Sequence, residues 1–304
     1  MRKLLSLLLV LSLLFALVAC VSDPNVMPDT TPTQTTPIQT TPVQTPPKNE
    51  TEDIVFSGLL AIDNSDCTVN FTGIDANNFL GYTLKVQLEN KSGDKNYMFS
   101  IVKAAINGVQ CDPFFAAEVA AGKKANERII FNDTELAKNG IDKFTDIEIT
   151  FRVYDSDDWS ADDIAEATVH IYPYGEENAT KYVRESKNTD TILVDNEYVT
   201  AIVIGYNQDD IWGYTIDLFL VNKTSQTVMF SLDNASINGF MIDPFYASEV
   251  GDNKCAFGSI TWFNSALEEN GIEVVEEIEF RFKAYESENW MVDDYFNEVV
   301  TLNP

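Results

Sequence analysis

Apolar and polar residues alternate along Tyr82-Thr83-Leu84-Lys85-Val86-Gln87-Leu88-Glu89, the period-two pattern of a strand with one face buried. Ile147-Glu148-Ile149-Thr150-Phe151-Arg152-Val153 repeats the pattern, and so does the stretch from Ile278 to Ala284. Shorter β-rich runs occupy 54–62, 67–74, 97–106, 128–132 and 166–172. Helix is predicted only as a short turn over "DTELAKNG" (Asp133–Gly140), capped by Asp133 and stopped by Gly140, and over its twin "NSALEENG".

The word twin is literal. Sliding the chain against itself by 131 positions aligns Met98–Pro173 with Met229–Pro304 without a gap, with about 30 of 76 residues identical. Upstream, with one residue inserted, "GYTLKVQLEN" falls on "GYTIDLFLVN". The chain therefore holds two copies of one unit, at 52–174 and 189–304, joined by a polar linker at 175–188. The phrase "INGVQCDPFFAAEV" recurs as "INGFMIDPFYASEV", and its role is architectural. Asn107-Gly108 and Asn238-Gly239 are hairpin dipeptides, Asp112-Pro113 and Asp243-Pro244 initiate a turn, and the following aromatic residues offer apolar area to the core. About seven short strands per copy predict an all-β fold: two tandem antiparallel β-sandwiches of immunoglobulin-like type, each with one short helical turn.

The N-terminus has a different pattern. Arg2 and Lys3 precede an apolar run from Leu4 to Val18, too short to span a bilayer comfortably, and it ends in Leu17-Val18-Ala19-Cys20. That ending resembles the lipobox of bacterial lipoproteins. The resemblance implies a signal peptide at 1–19, cleavage between Ala19 and Cys20, and lipidation of Cys20; the alternative is an ordinary secretory signal that contains a cysteine. Residues 20–51 then run through three "TTP" units with almost no apolar side chains, a disordered tether. At ~3.1 Å per residue its roughly 30 residues reach about 90 Å, enough to lift folded units off a membrane.

Lipobox, Thr/Pro tether and tandem units built on "GYTL…N", "INGxxxDPF", "EV" and "YDSDDW" together resemble the uncharacterised immunoglobulin-like repeat lipoproteins of clostridia and related Gram-positive bacteria. The resemblance covers nearly all of the mature chain. It implies a sandwich fold anchored by lipid to the outer face of the bacterial cell membrane, and it brings no catalytic residue with it.

Composition narrows the partners. Twenty basic against 48 acidic residues, net −28, repel nucleic acid and anionic membrane surfaces. The expected partners are the membrane, through the N-terminal lipid, and an envelope protein or wall polymer. Catalytic chemistry is not legible. The one histidine, His170, stands in a strand where the other copy has Thr301, and no nucleophile elbow, zinc motif or phosphate loop is present. The chain is read as a non-enzyme without a cofactor. Cys67, Cys111 and Cys255 fall opposite Val199, Ile242 and Lys124, which reads as packing; a Cys67–Cys111 disulfide is the alternative.

Two constellations remain. Asp155, Asp157, Asp158, Asp162 and Asp163 in "YDSDDWSADDI", and Glu286, Glu288, Asp293 and Asp294 in "YESENWMVDDY", are candidate calcium ligands, without EF-hand spacing. Against calcium stands a solvated loop, with Asp162-Asp163 capping a turn and Trp159 or Trp290 folded over the sandwich edge. The outward face of 214–221 carries Phe219 and Val221 where the first copy has Gln87 and Glu89, an apolar patch that marks a contact with the first unit or with a partner. Trp212, Tyr246 and Trp262 are candidates for a sugar-stacking platform, with core packing as the alternative.

Overall fold

The computed structural model describes residues 53–304, apart from Phe245, Trp290 and the side chain of Asp209. The stretches read from the sequence as a signal peptide (1–19) and a tether (20–51), Cys20 included, lie outside the described residues. The first half contains β1 (Leu59–Asp63), β2 (Cys67–Asp75), β3 (Tyr82–Asn90), β4 (Tyr97–Ile106), β5 (Val109–Cys111), β6 (Ala116–Val119), β7 (Lys124–Phe131), α1 (Asp133–Lys138), β8 (Ile147–Asp155) and β9 (Ala165–Ile171). The second half contains β10 (Thr191–Asp195), β11 (Val199–Asp210), β12 (Gly213–Asn222), β13 (Val228–Ile237), β14 (Phe240–Met241), β15 (Ala247–Val250), β16 (Cys255–Phe263), α2 (Asn264–Glu269), β17 (Ile278–Glu286) and β18 (Phe296–Leu302). The fold is all-β and sandwich-type.

Pairing within the halves is the same. In the first, β1-β2-β3-β7 form one sheet, while β4 pairs with β8, which pairs with β9; β5 and β6 also lie on β4. In the second, β10-β11-β12-β16 form one sheet, and β13, β17 and β18 the other, with β14 and β15 on β13. Alternation decides which side chains go inward: Leu84, Val86 and Leu88 are fully buried while Lys85 is exposed. Phe71, Phe99, Phe131 and Phe151 fill the space between the sheets of the first half. Tyr214, Phe230, Trp262, Phe280 and Phe282 do so in the second.

The shared phrases are explained locally. A Cβ at Gly81 would collide with the Phe131 carbonyl oxygen, and one at Gly213 with that of Trp262, so both copies place a glycine at this point, just before β3 in the first and as the first residue of β12 in the second. The asparagine ending each strand is buried and ties down neighbouring loops: Asn90 Nδ2 donates to the carbonyls of Lys95 and Val119, and Asn222 Nδ2 to those of Gln226 and Val250. Asn107-Gly108 and Asn238-Gly239 adopt positive φ (52° and 83°, 49° and 81°), as a hairpin turn requires. Their asparagines do more than turn. Asn107 Oδ1 accepts from the Thr145 and Asp146 N–H groups, and Asn238 Oδ1 from those of Glu276 and Glu277, holding the loop that enters β8 or β17.

Several expectations need correction. The run at 54–62 becomes a strand only from Leu59, after Gly58 turns the backbone at φ 136°. The run at 128–132 is longer, starting at Lys124. Asn132, not Asp133, caps α1: its Oδ1 accepts the Glu135 N–H at 3.3 Å. Phe263 precedes α2 in that place and supplies no side-chain cap. After Asp112-Pro113 only Phe115 enters the core; Phe114 is 88% exposed, because the Asx turn at Asp112 Oδ1 aims it outward.

Candidate functional site at the junction of the two halves

The two halves meet along one seam. Val109 of β5 pairs in parallel with Cys255 of β16, whose N–H donates to the Gly108 carbonyl at 3.0 Å. This joins one sheet of each half into a nine-stranded sheet. Beside it, the Gln110 side chain behaves like a piece of backbone: Nε2 donates to the Glu249 carbonyl at 2.7 Å and Oε1 accepts the Gly251 N–H at 2.9 Å.

An aromatic cluster lies behind the seam. Phe219 and Phe257, opposite each other on β12 and β16, have ring centroids 5.1 Å apart, and Tyr182 from the connecting segment meets both edge-on at 6.3 and 5.9 Å. Phe219 is buried, and it packs with the core of the first half together with Ile202, Ile204 and Val221. Contact with the first unit is thus the answer for the apolar face of 214–221. Ordinary strand alternation placed Phe219 and Val221 outward; the other half then covered them.

The connecting segment, read as a polar linker, is tied to both sides. Tyr182 N–H donates to the Asn107 carbonyl at 2.8 Å and its hydroxyl to the Asn139 carbonyl at 2.6 Å. Arg184 stands over the Phe219 ring and makes two bonds, 2.7 and 2.8 Å, to the Asp190 carboxylate. Both side chains are less than a tenth exposed. That bidentate pair, with the Lys187 N–H, holds the Asp190 carboxyl down at about 2. On its open side the junction leaves a cavity of about 430 Å³ between the end of α1 and the second half, lined by Asn139, Tyr182, Arg184, Lys187, Ile204 and Phe257.

His170 is also near the seam. Its Nδ1 lies 2.8 Å from Asp146 Oδ1 and its Nε2 3.7 Å from Glu148 Oε2, while Glu148 accepts Lys254 of the second half at 2.9 Å. The ring stacks on Tyr172. Such partners suit a residue that helps bind two elements.

The acidic loops are spread out. Asp155 is buried and paired with Lys95 at 2.9 Å, which lowers its carboxyl pKa together with the Asp157 N–H. Asp163 accepts Arg152 Nε at 2.7 Å, Asp158 accepts the Ser160 hydroxyl, and Asp157 and Asp162 are exposed. In the second loop Asp294 accepts Asn297 Nδ2 at 2.6 Å; Glu286 is half-buried, and Glu288 and Asp293 are exposed. Among the described residues no group of three or more carboxylate, histidine or cysteine side chains converges as a metal site. Trp159 is 75% exposed and does not fold over the sandwich edge; Trp290 lies outside the described residues.

Cys67, Cys111 and Cys255 are free thiols, so the Cys67–Cys111 disulfide is absent: Cys67 opens β2 in one sheet and Cys111 ends β5 in the other. Burial raises their pKa values to about 11, 12 and 11. The sugar platform fails too. Trp262 is fully buried with its indole N–H on the Ile242 carbonyl, whereas Trp212 is exposed on the β11–β12 turn. That turn has an unforeseen regularity: Ile211 and Trp212, 83% and 68% exposed, match Phe79 and Leu80, 93% and 56% exposed, in the first half. The signal was present in the alignment of the copies, as two large apolar residues before the shared glycine.

No family model matches the chain, and no curated protein matches it. Among solved structures, the YadV chaperone is 11% identical over 72% of this chain and 92% of its own, with a TM-score of 0.22. The exo-chitosanase CsxA of Amycolatopsis orientalis is 11% identical over 74% of this chain and 25% of its own, at 0.24. The 7S globulin of Momordica charantia is 8% identical over 68% and 76%, at 0.12. Superpositions this loose carry no argument about function, and the chain stands on its own geometry as an all-β, sandwich-type protein.

Proposed function

We propose that this chain is a surface lipoprotein, acylated at Cys20, that displays two joined immunoglobulin-like sandwiches on the outer face of a bacterial membrane for binding or scaffolding in the envelope, without catalysis. The observation that carries the reading is the junction. Phe219, Phe257, Tyr182 and Gln110, drawn from both halves and the segment between them, hold the halves together, and the Arg184–Asp190 pair fixes that segment against the second half. The pairing order supports the immunoglobulin-like type: β3 pairs with β7, β4 with β8, and β8 with β9, as B–E, C–F and F–G do in that fold. The Leu17-Val18-Ala19-Cys20 ending and the Thr/Pro tether support the anchor.

Detergent-phase partition of the full chain, expressed with its leader in a Gram-positive host, tests the anchor. Wild type is expected in the detergent phase and Cys20→Ala in the medium; identical behaviour of the two contradicts the reading. A second reading, a ligand-binding module, is favoured by the matched exposed tips Phe79-Leu80 and Ile211-Trp212. Quenching of tryptophan fluorescence by soluble wall polymer, abolished in Trp212→Ala, is its signature.

A further inference from the structure

The junction works by docking one short strand, and the second half carries the same strand uncovered. β5 lies between β4 and β16, and Val109 is 1% exposed. The equivalent β14 follows the same Asn-Gly turn but pairs with β13 alone, through Ser236↔Met241 and Ile237↔Phe240. Among the described residues it is the edge of its sheet. Phe240 stands where Val109 stands and is 48% exposed; Met241 stands where Gln110 stands and is 66% exposed. A strand edge offers unpaired N–H and C=O groups, and large apolar side chains on it favour the addition of another strand.

The receiving surface is equally defined. In the second half β5 is received by Cys255 at the start of β16 and by the face carrying Phe219 and Phe257. The matching positions in the first half are Lys124, Gln87 and Asn126, with Gln87 Nε2 donating to Asn126 Oδ1 at 3.2 Å. That polar face does not suit an apolar docking strand. Head-to-tail contact between copies of the chain, which would grow into open filaments, is thereby blocked.

We propose that the β14 edge docks a sandwich repeat of this same type on another polypeptide, in the parallel geometry by which β5 meets β16. Its partner carries an aromatic pair at the positions of Phe219 and Phe257. The inference rests on continuity with an interface already built in the molecule: the same turn, the same strand and the same edge, with larger apolar side chains. It does not depend on membrane anchoring.

The test gives the full chain a receiving face. In the variant Gln87→Phe/Glu89→Val/Asn126→Phe the first half acquires the side chains of the second, and the chain serves as its own probe. Sedimentation at micromolar concentration is expected to show monomeric wild type and concentration-dependent head-to-tail oligomers of the variant. Adding Phe240→Glu/Met241→Lys is expected to return it to monomer. A variant that stays monomeric, or oligomers that survive the β14 changes, overturn the proposal; wild-type oligomers lost on those changes overturn the polar block. Should the triple variant lose its circular-dichroism signature, Gln87→Leu/Asn126→Leu makes the same test with smaller side chains at these partly exposed positions.

Discussion

Phe219 and Phe257 face each other across β12 and β16 where Gln87 and Asn126 face each other across β3 and β7. One cross-strand position in a duplicated unit has thus become a 5.1 Å ring contact under cover in one copy and a 3.2 Å amide hydrogen bond in the other. The difference follows from what lies above each: the first half and Tyr182 over one, solvent over the other.

Giving the second half the first half's polar pair is expected to loosen the junction. Phe219→Gln/Phe257→Asn keeps a cross-strand pair that the first half already uses, so each sandwich retains its fold. The single change Phe219→Ala, removing a buried ring, is expected to cost about 3 kcal/mol. In urea, the double variant is expected to unfold in two steps where wild type unfolds in one, read by tryptophan fluorescence and circular dichroism together.

Gln110 contributes by geometry. Gln110→Ala removes a donor and an acceptor at the seam and is expected to cost about 1–3 kcal/mol. Gln110→Glu loses the donor to the Glu249 carbonyl and puts a carboxylate against it, so its urea midpoint is expected below that of the alanine variant.

Acid tests the Arg184–Asp190 pair. The Asp190 carboxyl lies at about 2 in the fold against an ordinary 3.8, so the pair's contribution is fully present above pH ~4 and lost as pH falls toward 2. Asp190→Asn is expected to flatten stability against pH in that window, in urea melts at successive pH values. An unchanged slope contradicts the pairing.

Burial governs the thiols. With Cys20→Ser in place, Cys67, Cys111 and Cys255 are expected to resist a disulfide reagent at neutral pH and to react with three equivalents only after unfolding. Rapid labelling of the native chain contradicts this.

Calcium is expected to leave the midpoint of thermal unfolding unchanged at millimolar concentration, because Lys95 and Arg152 already engage Asp155 and Asp163. A rise that disappears in Asp157→Asn/Asp158→Asn would make the acidic loop a metal site.

Much of this architecture was legible in the chain. Alternation in Tyr82–Glu89 and Ile147–Val153 marked strands because one face of each is buried against the opposing sheet. Phe219 and Val221 stood out because a duplicated unit supplies its own control, and the mismatch with Gln87 and Glu89 pointed to a covered surface. Gln110, Tyr182 and Arg184 carried no such sign. Their partners lie far along the chain or depend on how the connecting segment closes, and neither periodicity nor spacing encodes that. The unpaired edge at β14 was hidden for the same reason: the Asn-Gly turn and Asp-Pro that flank it are those that flank β5, and only the sheet reveals which strand is covered.

The claim that the two halves form one body is tested most directly by a distance distribution between spin labels at Ser65→Cys and Glu269→Cys, exposed positions in opposite halves, in the full chain carrying Cys20→Ser. A single narrow distance that broadens in Phe219→Gln/Phe257→Asn is the predicted result. A broad distribution in the otherwise native chain, insensitive to that change, would contradict a fixed junction.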